Sequence, residues 1–284
     1  MDITEKLTLV VRKLNLVQVG LLFEMAQAMT LEIEEFVNEG SDILETEFVI
    51  NFSNRLIIHH ATHVEKFSKK SFEYAFAAAS ISASKNASIA LKSTNPGEDV
   101  IVDGVKFSLK TEASAKLTPN KSITISKLME ARWIRECRTT ADFARETIYR
   151  VVSHLRKYER IIILRAYDIP STSPENQTVT PLIPDSDAVK TLPKVRYDLY
   201  EIPLNILMLI ERLEESSFKP RTKNGGSSAK VYTADNQAAF TLILDGSVEK
   251  ITISNLRIDL CFLHGSWIIP TIGLNRDDNQ SNGD

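Results

Sequence analysis

The run Arg160-Ile161-Ile162-Ile163-Leu164-Arg165-Ala166 constrains this chain more than any other stretch. Consecutive bulky apolar residues cannot alternate between a core and water, so the run predicts a strand covered on both faces. Helical patterns are available to cover it. Apolar residues recur at helical spacing through Leu14, Val17, Leu21, Leu22, Met25 and Met29, and the pattern stops near Gly40. Further helices are expected over about 65–84, 126–137 (with Ser126 as N-cap) and 141–156, and at 205–215. The expected class is α/β, with a central mixed β-sheet flanked by helices.

The breaker Asn95-Pro96-Gly97 precedes a change of period: Val100-Ile101-Val102, Asp103-Gly104, then Val105 to Lys110. Asp-Gly between β-prone runs predicts a two-residue hairpin, because a type I′ turn needs positive φ at both positions. That turn sets Asp99 across from Ser108 and Lys110 diagonal to Asp99, with Ser108, Lys110 and Glu112 on the same face. A carboxylate beside an ammonium on a rigid strand suits phosphodiester hydrolysis. The carboxylate holds a hard divalent ion, which polarises the phosphoryl oxygen and activates a water, and Lys110 orients that water or offsets negative charge. The carbonyl of Leu109 is a further candidate ligand. Such an Asp–Lys diagonal is, in most proteins, only a surface pair.

These residues resemble the PD-(D/E)xK nucleases and, among them, the type II restriction endonucleases. Asn95-Pro96-Gly97-Glu98-Asp99 stands where the family has its first acid, and Ser108-Leu109-Lys110 where it has (D/E)-x-K. Residues 123–137 resemble the helix after this strand, and residues 246–267 resemble the C-terminal sheet; the similar segments span roughly a third of the chain. Ser108 departs from the pattern. The resemblance implies a carboxylate recruited from elsewhere, with Glu130 on the following helix preferred over Glu112 as metal ligand and catalytic acid. It also implies a supporting role for Glu73, an acid in the apolar stretch Phe72 to Phe76 that is costly unless paired or ligated. Restriction-endonuclease-like core, Mg²⁺, double-stranded DNA with a short specific site, a homodimer and a companion DNA methyltransferase all follow as expectations of the resemblance. A repair or junction nuclease on the same core, or a catalytically inactive DNA-binding protein, is the alternative.

The formal net charge of −3 gives no support to a polyanion partner, but its distribution does. Between Lys110 and Arg165 stand thirteen Lys or Arg against six acids. Arg132, Arg135 and Arg138, with Lys219, Arg221 and Lys223 of the loop FKPRTKNGGSSA, are candidate DNA contacts; each taken alone also reads as a solvated side chain. His59, His60 and His63 form HHxxH, which lacks the acid and third ligand of a zinc site and reads as structural. The two cysteines, Cys137 and Cys261, read as buried free thiols. With no run of about 18 apolar residues the chain is expected to be a cytoplasmic protein without membrane contact. Its expected parts are an N-terminal helical part (1–94), a catalytic nuclease core (95–170), a sheet-containing DNA-recognition part (171–270) and a disordered tail (271–284).

Overall fold

The computed structural model describes residues 1–90, 98–114, 117–169 and 193–271. The Asn95-Pro96-Gly97 breaker, most of the proline-bearing stretch 171–193 and the polar end of the chain lie outside the described residues. Helices α1 (Ile3–Val11) and α2 (Leu16–Ala28) open the chain, and each starts behind a reciprocal capping box, Asp2 with Glu5 and Asn15 with Gln18. Then come β1 (Glu34–Val37), α3 (Thr46–Thr62), α4 (Lys69–Ser82), β2 (Ala87–Ile89), β3 (Val100–Val102) and β4 (Val105–Ala113). After them follow β5 (Ile123–Glu130), α5 (Thr140–Leu155), β6 (Arg160–Ile169) and β7 (Lys194–Ile202). A single turn, α6 (Leu204–Leu207), leads into β8 (Ser227–Tyr232), β9 (Ala238–Asp245), β10 (Lys250–Leu256) and β11 (Phe262–Pro270).

Seven strands form a mixed sheet in the order β1-β11-β7-β6-β4-β3-β2, in which β4 and β6 run parallel and the other pairs antiparallel. The apolar run lies in β6, near its middle, covered on both faces as its composition requires. Ile162 and Leu164 join the core under α3 and α4, while Ile161 and Ile163 join the core shared with α5 and the second sheet, all of them no more than 1% exposed. Phe48, Phe52, Phe72 and Phe76 pack edge-on or stacked between α3 and α4, and burial of each stabilises the fold by about 1.5–3 kcal/mol. The fold class is therefore mixed α/β with a large sheet flanked by helices. No helix among the described residues is long and apolar enough to cross a membrane.

Three expectations are corrected. The stretch 126–137 is not a helix: Ile123 to Glu130 is strand β5, followed by a 3₁₀ turn at Arg132–Glu136. Ile123, Ile125 and Leu128 are buried, but Ser126 and Lys127 are both exposed, and β5 meets β10 with register shifts. This irregularity hides the period-2 alternation that marks a strand. Likewise, 205–215 holds only α6 and 3₁₀ turns at Met208–Arg212 and Glu215–Ser217, and the opening helical region ends before β1. β5 joins the second antiparallel sheet, β5-β10-β9-β8, whereas β1, β7 and β11 belong to the sheet that carries β4.

Candidate active site at the end of a short strand

The hairpin forms in the register that Asp103-Gly104 predicts, with Val102 opposite Val105, Ile101 opposite Lys106 and Val100 opposite Phe107. Asp103 (φ 48°) and Gly104 (φ 86°) supply the two positive dihedrals. At Asp99 the ladder gives way. Its N–H donates to the Phe107 carbonyl at 2.8 Å, and its carboxylate takes over as acceptor, with Oδ2 2.7 Å from the Leu109 N–H and 3.3 Å from Ser108 Oγ. Since N–H and C=O of one extended residue point to the same side, the Leu109 carbonyl is directed toward the gap that Asp99 borders. Ser108, Lys110 and Glu112 alternate on one face of β4 as expected, whereas Asp99 reaches the site from the strand edge.

Helix α4 delivers the second carboxylate. Ser68 caps it by accepting the Ser71 N–H at 3.0 Å, so Lys69 and Glu73 stand one turn apart on its first two turns. The Lys69 ammonium lies 2.7 Å from Asp99 Oδ1 and 3.3 Å from Glu73 Oε1, and Lys70 lies 3.0 Å from Glu73 Oε2. A cation thus bridges the carboxylates of Asp99 and Glu73. Glu73 is only 7% exposed, and these two lysines meet the pairing that burial demands. Lys69 was not singled out from sequence. The available signal was its i,i+4 spacing from the one acid in an apolar helix.

Among the described residues no ion pair holds the Lys110 ammonium. Burial pulls it down to about 8, with the Asp99 carboxylate drawing it back up and the Lys69 charge acting in the same direction as burial. His154, whose Nε2 is 3.2 Å from the Leu128 carbonyl, is pushed down to about 4 by burial, and the Lys110 charge adds to that.

The two carboxylates expected to replace the missing acid lie elsewhere. Glu112 shares a face with Lys110, but its Oε2 is 2.8 Å from Nε of the fully buried Arg165, and its Oε1 accepts the Thr124 N–H at 2.9 Å. Arg165 also donates to the Lys121 carbonyl at 2.9 Å and stacks 5.9 Å from the Tyr200 ring. Glu112 is therefore occupied in clamping β4 to β5 and β6. Glu130 sits at the solvent end of β5, its side chain 67% exposed and paired with Lys127 at 2.8 Å. The packed helix that would have aimed it inward is absent.

The basic candidates converge. The 3₁₀ turn carrying Arg132 and Arg135, the β9–β10 turn and the loop 219–226 meet at one end of the second sheet. Arg135 pairs with Glu249 at 2.8 Å, Arg132 lies 3.8 Å from the same carboxylate, and Arg221 donates to the Cys137 carbonyl at 3.0 Å, beside Arg138. Gly246 makes this approach possible: a Cβ there would stand 2.6 Å from the Asn224 oxygen. Lys219 lies apart from these, with Arg212 and Lys230 along a cavity between the Met208–Arg212 turn and β8.

Two other clusters are structural. His59 stacks on His63 and donates from Nε2 to the Glu65 carbonyl at 2.7 Å, and it shares no ligand geometry with His60, which bonds the Tyr197 hydroxyl at 2.7 Å. The ligand atoms of Asp42, Glu201 and His264 lie within 4.8 Å of one another. Arg160, however, binds Asp42 with two bonds of 2.8 and 2.9 Å and pairs with Glu201 as well, so the positive charge is already supplied. Both cysteines are free, Cys137 buried and Cys261 half-buried, and burial pushes their thiols up to about 11 and about 12.

Comparison with known proteins identifies the family. Residues 8–269 match the SmaI family, described as type II site-specific deoxyribonuclease. The type II restriction enzyme SmaI of Serratia marcescens is 30% identical over 266 residues, 91% of this chain and 94% of that protein. A restriction endonuclease solved in complex with substrate DNA aligns over 97% of this chain and 92% of its own at 15% identity, but its TM-score of 0.27 is too low to carry any argument. On the family match and the full-length relative, the chain belongs to the SmaI family of type II site-specific deoxyribonucleases.

Proposed function

We propose that this restriction endonuclease hydrolyses double-stranded DNA at a short specific sequence with Mg²⁺, at a site made of Asp99, Glu73, the Leu109 carbonyl and Lys110. The observation that carries the reading is the bridging of Asp99 and Glu73 by one cation, Lys69, next to the half-buried Lys110. Two carboxylates and a carbonyl are the hard oxygen donors that Mg²⁺ takes, so these three would hold the ion. When bound, it polarises the phosphoryl oxygen and lowers the pKa of a coordinated water.

The chain's own residues do the rest. Ser108 and the Leu109 N–H fix the Asp99 carboxylate, which is the role left to Ser108 in place of an acid. Lys110, poised near neutrality by burial, orients the attacking water and offsets charge gathering on the phosphate. Lys69 exchanges carboxylate for phosphate as substrate enters. Arg132, Arg135, Arg138, Arg221 and Lys223 contact the DNA, and Lys219 contacts it from the neighbouring cavity. The products carry 5′-phosphate and 3′-hydroxyl ends. Two copies cut the two strands of a symmetric site, in a cytoplasm where a companion methyltransferase protects the host's own sites.

Plasmid incubated with Mg²⁺ and the wild-type chain, beside Asp99→Ala, Lys110→Ala and Glu73→Gln, tests this. Discrete fragments are expected from the wild type, with losses on the order of 10³-fold for Asp99→Ala and Lys110→Ala. Cleavage that survives both changes would sink the site.

A further inference from the structure

The first two helices are apolar where the rest of the described residues give them nothing to cover. α1 has no buried residue, and α2 has only Ala28. Ile3, Leu7, Leu9 and Val10 on α1, and Leu16, Val17, Leu21 and Phe23 on α2, are between 45% and 90% exposed. Ile3, Leu7 and Val10 follow i, i+4, i+7 spacing and form a stripe, and α2 presents Leu16, Val17, Leu21 and Phe23 over its outer turns. Together these side chains expose on the order of 1,000 Å², beyond the roughly 300–600 Å² largest patch of an ordinary monomer and close to the ~800 Å² that each partner gives to a stable interface.

Gly20 lies in the middle of this surface. Among the described residues a Cβ at Gly20 would meet nothing within 4 Å, so no contact with them requires glycine there. Its φ is not positive either, and a mid-helix glycine costs about 1 kcal/mol relative to alanine. A glycine without an internal reason, flanked one turn away by Leu16 and Phe23, suits the close approach of a helix from outside.

The occupant follows from charge and chemistry. The last ten residues, NRDDNQSNGD, are too polar to cover such a surface. A membrane interface calls for lysine or arginine along the polar face of the helices; Lys6 of α1 is offset by Glu5, α2 carries Glu24 and no basic residue, and Arg12 and Lys13 stand only in the turn between them. A second copy supplies the same apolar face, and a two-fold axis makes it self-complementary.

We infer that the α1–α2 pair is the surface through which two copies of this chain join, with the helices crossing at Gly20. The inference rests on the reading that paired active sites cut the two strands. The test is the mass of the full-length protein by sedimentation velocity, without DNA or Mg²⁺, over a range of micromolar concentrations. The wild type is expected at twice the chain mass. Gly20→Leu, which introduces a good helix former into open space, and Leu16→Glu with Val17→Glu are each expected to raise the dissociation constant about 100-fold or more, with circular dichroism and melting temperature of the single chain retained. A wild type that sediments as a single chain, or as a dimer that both variants leave intact, would overturn the inference. Because mass is read without cleavage, failure here is separable from failure of the Asp99 site.

Discussion

Replacing Glu112 with Gln separates a structural carboxylate from a metal ligand. Glu112 faces the same way as Lys110, which is why sequence made it a candidate, yet it is paired at 2.8 Å with Arg165, which is fully buried. Burial pushes Glu112 above the ordinary carboxylate range in spite of that guanidinium, so desolvation outweighs attraction in setting its proton affinity. Removing the charge of one partner leaves the other buried and uncompensated, at a cost of about 3–5 kcal/mol. For a chain of this size that lowers the melting temperature by about 5–8 °C. Scanning calorimetry gives the melting shift, and plasmid cleavage well below it, titrated with Mg²⁺, gives the metal requirement. A clamp predicts a large thermal shift with the half-saturating Mg²⁺ within about twofold of wild type. The reasoning is refuted by a Glu112→Gln protein that melts like the wild type but needs far more Mg²⁺.

Three further outcomes are expected. His60 is fully buried and held near 4, below the usual 6.5, by desolvation, with the His59 and Lys66 charges acting in the same direction and the hydrogen bond to the His63 carbonyl opposing them. Its neutral form contributes fully above pH 6.5 and that contribution, about 3 kcal/mol, is lost as pH falls from 6.5 to 4; urea melts at pH 7 and pH 5 should show the loss in wild type and a shallower one in His60→Gln. Gly246→Ala places a Cβ 2.6 Å from the Asn224 oxygen, so it should cost about 1–3 kcal/mol in urea melts and weaken DNA binding by pushing the Arg221 loop from the Arg135 turn. Arg138→Ala and Lys223→Ala should each reduce the slope of log affinity against log salt by about one, equally for specific and unrelated duplexes.

What sequence made visible were the features with a strong local cause. Asp103-Gly104 permits essentially one turn, and Ile161 to Leu164 can be satisfied only between two covered faces. The strand β5 was missed because adjacent exposed Ser126 and Lys127 break its alternation, and the β10 partner that accommodates the break lies more than a hundred residues away. Glu130 was misplaced for the same reason, since its aim depended on the helix that β5 replaces. Lys69 and the Glu112–Arg165 clamp are products of assembly: α4 meets the edge of β4 only after the sheet forms, and parallel pairing brings Arg165 opposite Glu112. No local pattern announces either.

The brevity of β3 explains why the site is where it is. A longer strand would continue the antiparallel ladder and pair the Leu109 N–H and carbonyl with backbone. β3 instead begins at Val100, so at Leu109 the ladder is open, and the Asp99 carboxylate takes the N–H at 2.7 Å while the carbonyl is left directed at the same gap. On its other edge β4 is pinned by parallel pairing to β6 from Phe107 to Ala113, so the opening cannot close by a shift of register. An acid, a carbonyl and, one residue on, a lysine turned to the opposite face are thereby fixed by backbone geometry. Glu73 then needs only to arrive from a helix packed over the same edge, which is the position α4 occupies against β3 and β4.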